Sequence, residues 1–316
     1  MTQRLSFRGG VIEFDELNPG DYTIEAKAFD SNEGDLVVGW GTSSVTVNAG
    51  ESTDCALALA LTKCISTFDS VPSSSKYKYL AVASSADMVK LGEWIKSGSD
   101  LEGITITLAD DVDLADYADD WQPIGFIKST EDSDADSNNM PFRGTFNGNG
   151  KTISYEIKKR EDGLDSQVFG LFFDNYGTIE NLVVNQTYSG DLSNRMLSRG
   201  GMICAYNYGN IKNCIVMSDI AIGTRSDTAG ICKVNTESGK VVNCFVTGNI
   251  ENQLDAYWRG SYQKTGGICA INYGTVENVV SAVNIKTKSL IDNKERLNNI
   301  AAAIAARTDG YLTNCY

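Results

Sequence analysis

Apolar and polar residues alternate with period two through much of the chain. Tyr22, Ile24, Ala26 and Ala28 alternate with Thr23, Glu25 and Lys27, which predicts a strand with one buried face. Turn signals bracket it. Asn18-Pro19-Gly20-Asp21 lies before it, and Val45 and Val47 lead into a second turn, Asn48-Ala49-Gly50. Leu57, Leu59 and Leu61 predict a final strand, and strands at this spacing predict a small β-sandwich over residues 1–64. Residues 65–80, with Pro72 and Ser73-Ser74-Ser75, read as a linker.

The period then changes. Ser84 stands three residues before Asp87, a helix N-terminal signature, and Met88, Leu91 and Ile95 recur at helical spacing before Gly98. Ile104, Ile106 and Leu108 return to strand alternation. An amphipathic helix here, with Trp94 packed beneath it, is expected to cover the open strand edge at the start of the repeats.

The second half of the chain is repetitive. Gly177, Gly209, Gly239, Gly274 and Gly310 are separated by 32, 30, 35 and 36 residues, and Asn181, Asn213, Asn243, Asn278 and Asn314 keep the same separations. Each copy holds short apolar strands and no convincing helix. That combination at a period near 30 predicts a right-handed parallel β-helix of about five coils over residues 165–316, with 81–164 as cap and lead-in. In-register stacking would put the asparagines in ladders, together with a second set, Asn175, Asn207, Asn235 and Asn272. Gly148 and Gly150, beside Asn147 and Asn149, are expected to supply positive φ at a tight turn.

Composition narrows the chemistry. The 316 residues carry a formal charge of −14, which repels nucleic-acid backbones, and contain no histidine, which removes the usual general base and the commonest metal ligand. No apolar run is long enough for a transmembrane segment, and the chain begins without an export signal. Of the eight cysteines, Cys204, Cys232 and Cys269 share a slot with Phe172 and Ala305, while Cys214, Cys244 and Cys315 share one with Leu182 and Val279. Slots that accept such residues are core slots, so these six are expected to be buried free thiols. Cys55 and Cys64 stand too far apart along an extended chain to bond.

Trp121-Gln-Pro-Ile-Gly125, the run Phe142-Arg-Gly-Thr-Phe-Asn-Gly-Asn-Gly-Lys-Thr-Ile153, and the frame Gly-Gly-Ile-Cys-x-x-Asn-Tyr-Gly-x-apolar-x-Asn resemble the GLUG-repeat regions of bacterial surface proteins and adhesins. The fifth copy departs from the frame, with alanines for glycines and Arg307-Thr308 for Ile-Asn. The first 60 or so residues resemble the transthyretin- or immunoglobulin-like modules of such proteins. The resemblance implies an all-β protein on the bacterial surface or secreted, a non-catalytic stalk or adhesin. A carbohydrate-binding or carbohydrate-cleaving β-helix is the alternative.

Three features are candidates for function. The long connections between copies fall at one phase of the repeat, and one of them holds Tyr257, Trp258, Arg259 and Tyr262, a mix suited to contact with a host or cell-surface glycan or protein. Tyr176, Tyr208 and Tyr273 each precede the anchoring glycine, with Ser238 and Asp309 interrupting the column; packing across a turn competes with stacking on sugar rings. Asp132, Asp134, Asp136 and Asn138 match the first ligands of a Ca2+ loop, but position six is Ser137 and position twelve Arg143, so a solvated loop is the stronger reading and no cofactor is required.

Overall fold

The computed structural model describes residues 14, 17–29, 37–57, 59–74, 77–117, 121–126, 140–158, 166–189, 197–223, 227–254, 263–289 and 299–316. They form an all-β parallel solenoid of about four turns with little helix. Each coil crosses four faces in sequence. Sheet I contains Ser166–Phe169, Leu197–Gly201, Thr228–Ala229, Gln263–Gly266 and Asn299–Ala302. Sheet II contains Phe172–Asn175, Cys204–Asn207, Cys232–Asn235, Cys269–Asn272 and Ala305–Thr308. Sheet III runs through Thr178–Glu180, Asn210–Lys212 and Lys240–Val242, and sheet IV through Val183–Ser189, Ile215–Gly223 and Phe245–Leu254. The strand Thr275–Ser289 bends from sheet III into sheet IV and joins them.

Pairing is parallel and in register, so equivalent residues of successive copies stack: Ile179 on Ile211 on Val241 on Val276, and Val184 on Val216 on Val246. Most of these inward side chains are fully buried in one continuous core. The anchoring glycines are required by close approach rather than by φ. A Cβ on Gly209 would run into the Gly177 carbonyl, and one on Gly274 into the Gly239 carbonyl. At the upstream turn the expectation of two positive-φ glycines is half right. Gly150 has φ 75°, whereas Gly148 does not lie in that region and is needed because a Cβ there would strike Asn181 and Leu182. Asn149 takes the other left-handed position, φ 53°.

The two asparagine sets play different parts. Asn175, Asn207, Asn235 and Asn272 are fully buried and form one column. Asn175, Asn207 and Asn235 each donate from Nδ2 to the Oδ1 of the next coil at 2.8 Å, and Asn272 donates to Thr308 Oγ1 at 3.2 Å. The amide orientation is set by backbone carbonyls: Asn207 Nδ2 also reaches Lys240 O, and Asn235 Nδ2 reaches Thr275 O, both at 3.2 Å. The column therefore donates toward the C-terminal end, and Asn175 Oδ1 is left buried at its head without a hydrogen-bond partner. The second set, Asn181, Asn213, Asn243, Asn278 and Asn314, is left-handed, with φ between 49° and 55°, and lies toward solvent. Here Asn213 Nδ2 donates to Asn181 Oδ1 at 3.1 Å and Asn243 Nδ2 to Asn213 Oδ1 at 3.2 Å. This ladder donates toward the N-terminal end, opposite to the buried one. Asparagine suits it because it tolerates the left-handed conformation, which branched or bulky residues do not.

All eight cysteines are free. Cys204, Cys214, Cys232, Cys244 and Cys269 are buried, and Cys232 Sγ lies 3.4 Å from Cys269 Sγ. Burial pushes the Cys214 and Cys232 thiols well above their ordinary value; the contact with Cys232, then burial, does the same for Cys269. Held as neutral thiols, they behave as small core hydrophobes.

The helix spans Ser85–Lys96 and buries Met88, Leu91, Trp94 and Ile95 in the same core. Its start is held by Asp87, a residue 1% exposed. Ser66 N donates to Asp87 Oδ1 at 2.7 Å, and Ala83 N and Ser84 Oγ donate to Oδ2 at 3.0 and 2.8 Å. Burial alone pushes this carboxyl up, but the donors outweigh it and hold it below the usual range. The same region corrects the expectation of a linker over 65–80. Ile65 is fully buried, Lys63–Cys64 pairs with Tyr79–Val82, and Asp87 ties Ser66 to the helix, so the chain on both sides of the proline belongs to the solenoid.

Upstream, Gly20–Phe29, Val37–Val47 and Ala60–Leu61 form one three-stranded antiparallel sheet. The predicted Leu57–Leu61 strand shrinks to two residues, with Leu61 71% exposed, because the chain leaves at Lys63 to pair with the solenoid. The sheet meets the solenoid through Trp40, whose Nε1 donates to Glu25 at 2.8 Å and whose ring lies 6.0 Å from that of Tyr79.

This packing makes two predictions. Asn207→Gly orphans a donor above and an acceptor below, at roughly 1–3 kcal/mol each, and should lower unfolding stability by about 2–6 kcal/mol. Asn243→Gly keeps the left-handed backbone on an exposed rung and should change stability by less than about 1 kcal/mol in the same urea melts; equal losses would contradict the inner and outer assignment. For Asp87 the folded pKa is depressed, so its contribution is fully present above the unfolded carboxyl value and is lost as pH falls through the folded one. Melting temperature should drop below about pH 4. Asp87→Asn should remove that part of the acid dependence while costing about 2 kcal/mol at neutral pH; an unchanged acid profile would contradict the assignment.

Candidate functional site

The position of the candidate site is set by where the repeat can change length. Glycine and asparagine hold sheets II and III in register, so length varies most where no ladder constrains it. The segments 190–196, 224–226, 255–262 and 290–298 lie outside the described residues; the strand before each belongs to sheet IV and the strand after each to sheet I. The start of sheet I is braced by Asp227 and Lys264 on adjacent rungs: Lys264 N donates to Asp227 Oδ1 at 2.9 Å, and the charged groups stand 3.6 Å apart. Tyr257, Trp258, Arg259 and Tyr262, read from sequence as contact residues, lie outside the described residues, as do Asp132, Asp134, Asp136 and Asn138 of the Ca2+ reading. Among the described residues no group of three or more histidine, cysteine or acidic side chains could hold a metal ion.

The tyrosine column lies on the turn between sheets II and III. Tyr176 and Tyr208 stack face to face, with ring centroids 4.2 Å apart and planes 11° from parallel. The Arg143 guanidinium covers the other face of Tyr176 at 4.6 Å. The ring faces of Tyr176 are therefore occupied, and its exposure, 41%, is that of an edge; a sugar ring would have to displace Arg143 or Tyr208. Tyr273 stands two rungs further on, with Arg307 at 5.6 Å from its ring and paired to Asp309 at 2.8 Å. The Ser238 rung between them holds a longer turn, in which Ser238 Oγ donates to Tyr208 O at 2.8 Å.

The cations of this face were missed from sequence, yet a signal existed. Arg143 precedes Gly144 as Tyr176 precedes Gly177 and Tyr208 precedes Gly209, so it is the same slot one coil earlier. Beside this column the outer face of sheet II carries a second small apolar cluster. Phe173 and Ala205 are buried there under Phe126 and Tyr206, with Lys233 Nζ 3.1 Å from the Tyr206 hydroxyl and above its ring.

Several of the described ionisable groups with displaced pKa values have structural partners. Asp87 holds the helix, the thiols fill the core, and burial raises the Tyr155 hydroxyl, which donates to Met202 O at 3.0 Å. The described surface carries aromatic edges, paired cations and neutral amides on a parallel stack. If Arg143 caps the tyrosine stack, a double-mutant cycle between Arg143→Ala and Tyr176→Ala should give a coupling of about 0.5–1 kcal/mol in thermal or urea unfolding. A coupling near zero would show that the contact contributes nothing.

No protein-family model matches the chain, and no curated protein matches it. Among solved structures, a crystal structure of a candidate immunoglobulin A1 protease from Bacteroides ovatus is similar in fold, at 17% identity over 77% of this chain and 76% of that one, with a TM-score of 0.49. A likeness of that degree transfers no activity, and the architecture of this chain rests on its own coil-to-coil pairing.

Proposed function

We propose that this chain is a non-catalytic binding scaffold, a piece of a surface-exposed or secreted stalk or adhesin that presents variable connections to a host, cell or glycan ligand. One observation carries the reading: the segments whose length varies most between copies each follow a sheet IV strand and precede a sheet I strand, while the described turns between the other sheets are short. Variable segments gathered on a rigid solenoid form a recognition edge, since the scaffold fixes their ends and leaves their sequence free to change. In this reading the GLUG-like frame builds a right-handed spacer, the helix Ser85–Lys96 caps its first coil, and the three-stranded sheet before it is a module of the immunoglobulin- or transthyretin-like kind.

Replacing residues 255–262 by a glycine-serine linker tests this. Cell attachment should fall while the melting temperature holds. Attachment that survives the replacement unchanged, or release of reducing ends from a polysaccharide by the intact chain, would count against a non-catalytic recognition edge.

A further inference from the structure

The outward face of sheet IV is a second surface, and it is built differently from the loop corner. Alternate residues of each strand face solvent, and in-register pairing arranges them in columns. Val183, Ile215, Phe245 and Val280 form one column. Tyr316 continues it, since its N–H donates to Val279 O and its carbonyl accepts from Ser281 N. Asn185, Met217, Thr247 and Ala282 form the next. Ile215 and Val280 are each 41% exposed, Met217 39% and Tyr316 76%.

The apolar column, with Met217 and Ala282 beside it and Asn185 and Thr247 on the same line, is the band, and it lies between two polar columns. On one side is the outer asparagine ladder. On the other, Asn249 Nδ2 donates to Asp219 Oδ1 at 3.2 Å and Asn284 Nδ2 to Asn249 Oδ1 at 3.3 Å. A carboxamide has two N–H groups and two acceptor lone pairs. A ladder uses one of each, so an inner rung keeps one donor and one acceptor for a ligand, repeated about every 4.8 Å along the axis.

Charge selects the occupant. The protein carries −14 overall, and on the sheet IV face Lys286 pairs with Glu251 at 3.7 Å while Glu156 and Asp219 stand in one column. These carboxylates and the anionic whole repel sulfated or uronate chains.

We propose that the sheet IV face binds an uncharged, extended polysaccharide chain lying along the solenoid axis. The C–H faces of its sugar rings rest on Ile215, Phe245, Val280 and Tyr316, and its hydroxyls bond the amide columns. One sugar unit advances about as far as one coil, so each unit meets the same set of groups. This adds a second contact surface, on the sheet, to the binding reading above, on which it rests.

The intact chain should be retarded in affinity gels containing neutral polysaccharides such as xylan, mannan or mixed-linkage glucan, and not in gels containing polygalacturonate or heparin. Ile215→Asp puts a charge in the band at an exposed position; it should weaken retardation at least about tenfold without moving the melting temperature. Val280→Asp serves as the independent second variant should the first fail to fold. The variant with residues 255–262 replaced should keep this retardation. Retardation unaffected by both aspartates, a preference for the acidic polymers, no retardation by any neutral polymer, or a wild-type dimer that Ile215→Asp dissociates would each overturn the proposal. If neutral polymers fail but attachment through the loops persists, only the sheet-face site falls; if both fail, the binding reading falls with it.

Discussion

Everything in this molecule depends on one constraint: each coil must present the same backbone groups, at the same height, as the coil before it. Parallel strands about 4.8 Å apart meet that demand only when turns match from rung to rung. The buried column Asn175–Asn207–Asn235–Asn272 enforces it at one corner, because each amide must find both its neighbour's carbonyl and a backbone oxygen of the next turn. A coil slipped by one residue would bury these amides unpaired and turn its apolar set outward. The glycines Gly177 to Gly310 serve the same end from the backbone side, removing the Cβ that would collide with the neighbouring coil.

The opposite polarity of the two ladders reflects where they sit. The buried amides orient to the carbonyls of the next turn, and the exposed ones orient to the coil before. The antiparallel amide columns offset each other's dipoles along the axis, whereas two parallel columns would add. Where the ladders stop, constraint stops too, and variation in repeat length collects between the strands of sheet IV and those of sheet I.

Much of this was legible in the sequence because repetition multiplies a weak signal. A single Asn-Tyr-Gly means little, but its recurrence with a locked glycine and asparagine marks the coil, and a column shared by Cys204, Cys232, Cys269 and Phe172 can only be core. The helix start was equally plain from Ser84 and Asp87, though not that Asp87 also reaches Ser66. Which asparagine column faces inward was not legible: both flank a turn, and only the path of the backbone separates a buried amide from a left-handed one. Non-repeating segments misled in both directions. The leucines of 57–61 alternate like a buried strand, but the departure toward Tyr79–Val82 leaves Leu61 in solvent. Ile65 looked like part of a polar linker and is core, since one apolar residue in a polar stretch carries no periodicity. Among the candidate contact residues, the tyrosines were visible and their guanidinium cap was not, because Arg143 occupies a tyrosine slot in a different chemical guise.

The inner asparagine column locks the coils together, and side-chain amide hydrogen exchange by NMR, on protein labelled with 15N at asparagine, tests this most directly. The Nδ2 protons of Asn207 and Asn235 should exchange only on opening of the coils, orders of magnitude more slowly than those of Asn213 and Asn243 on the exposed ladder. Equal, fast exchange at all four positions would show that the inner column is open to solvent and does not hold the solenoid in register.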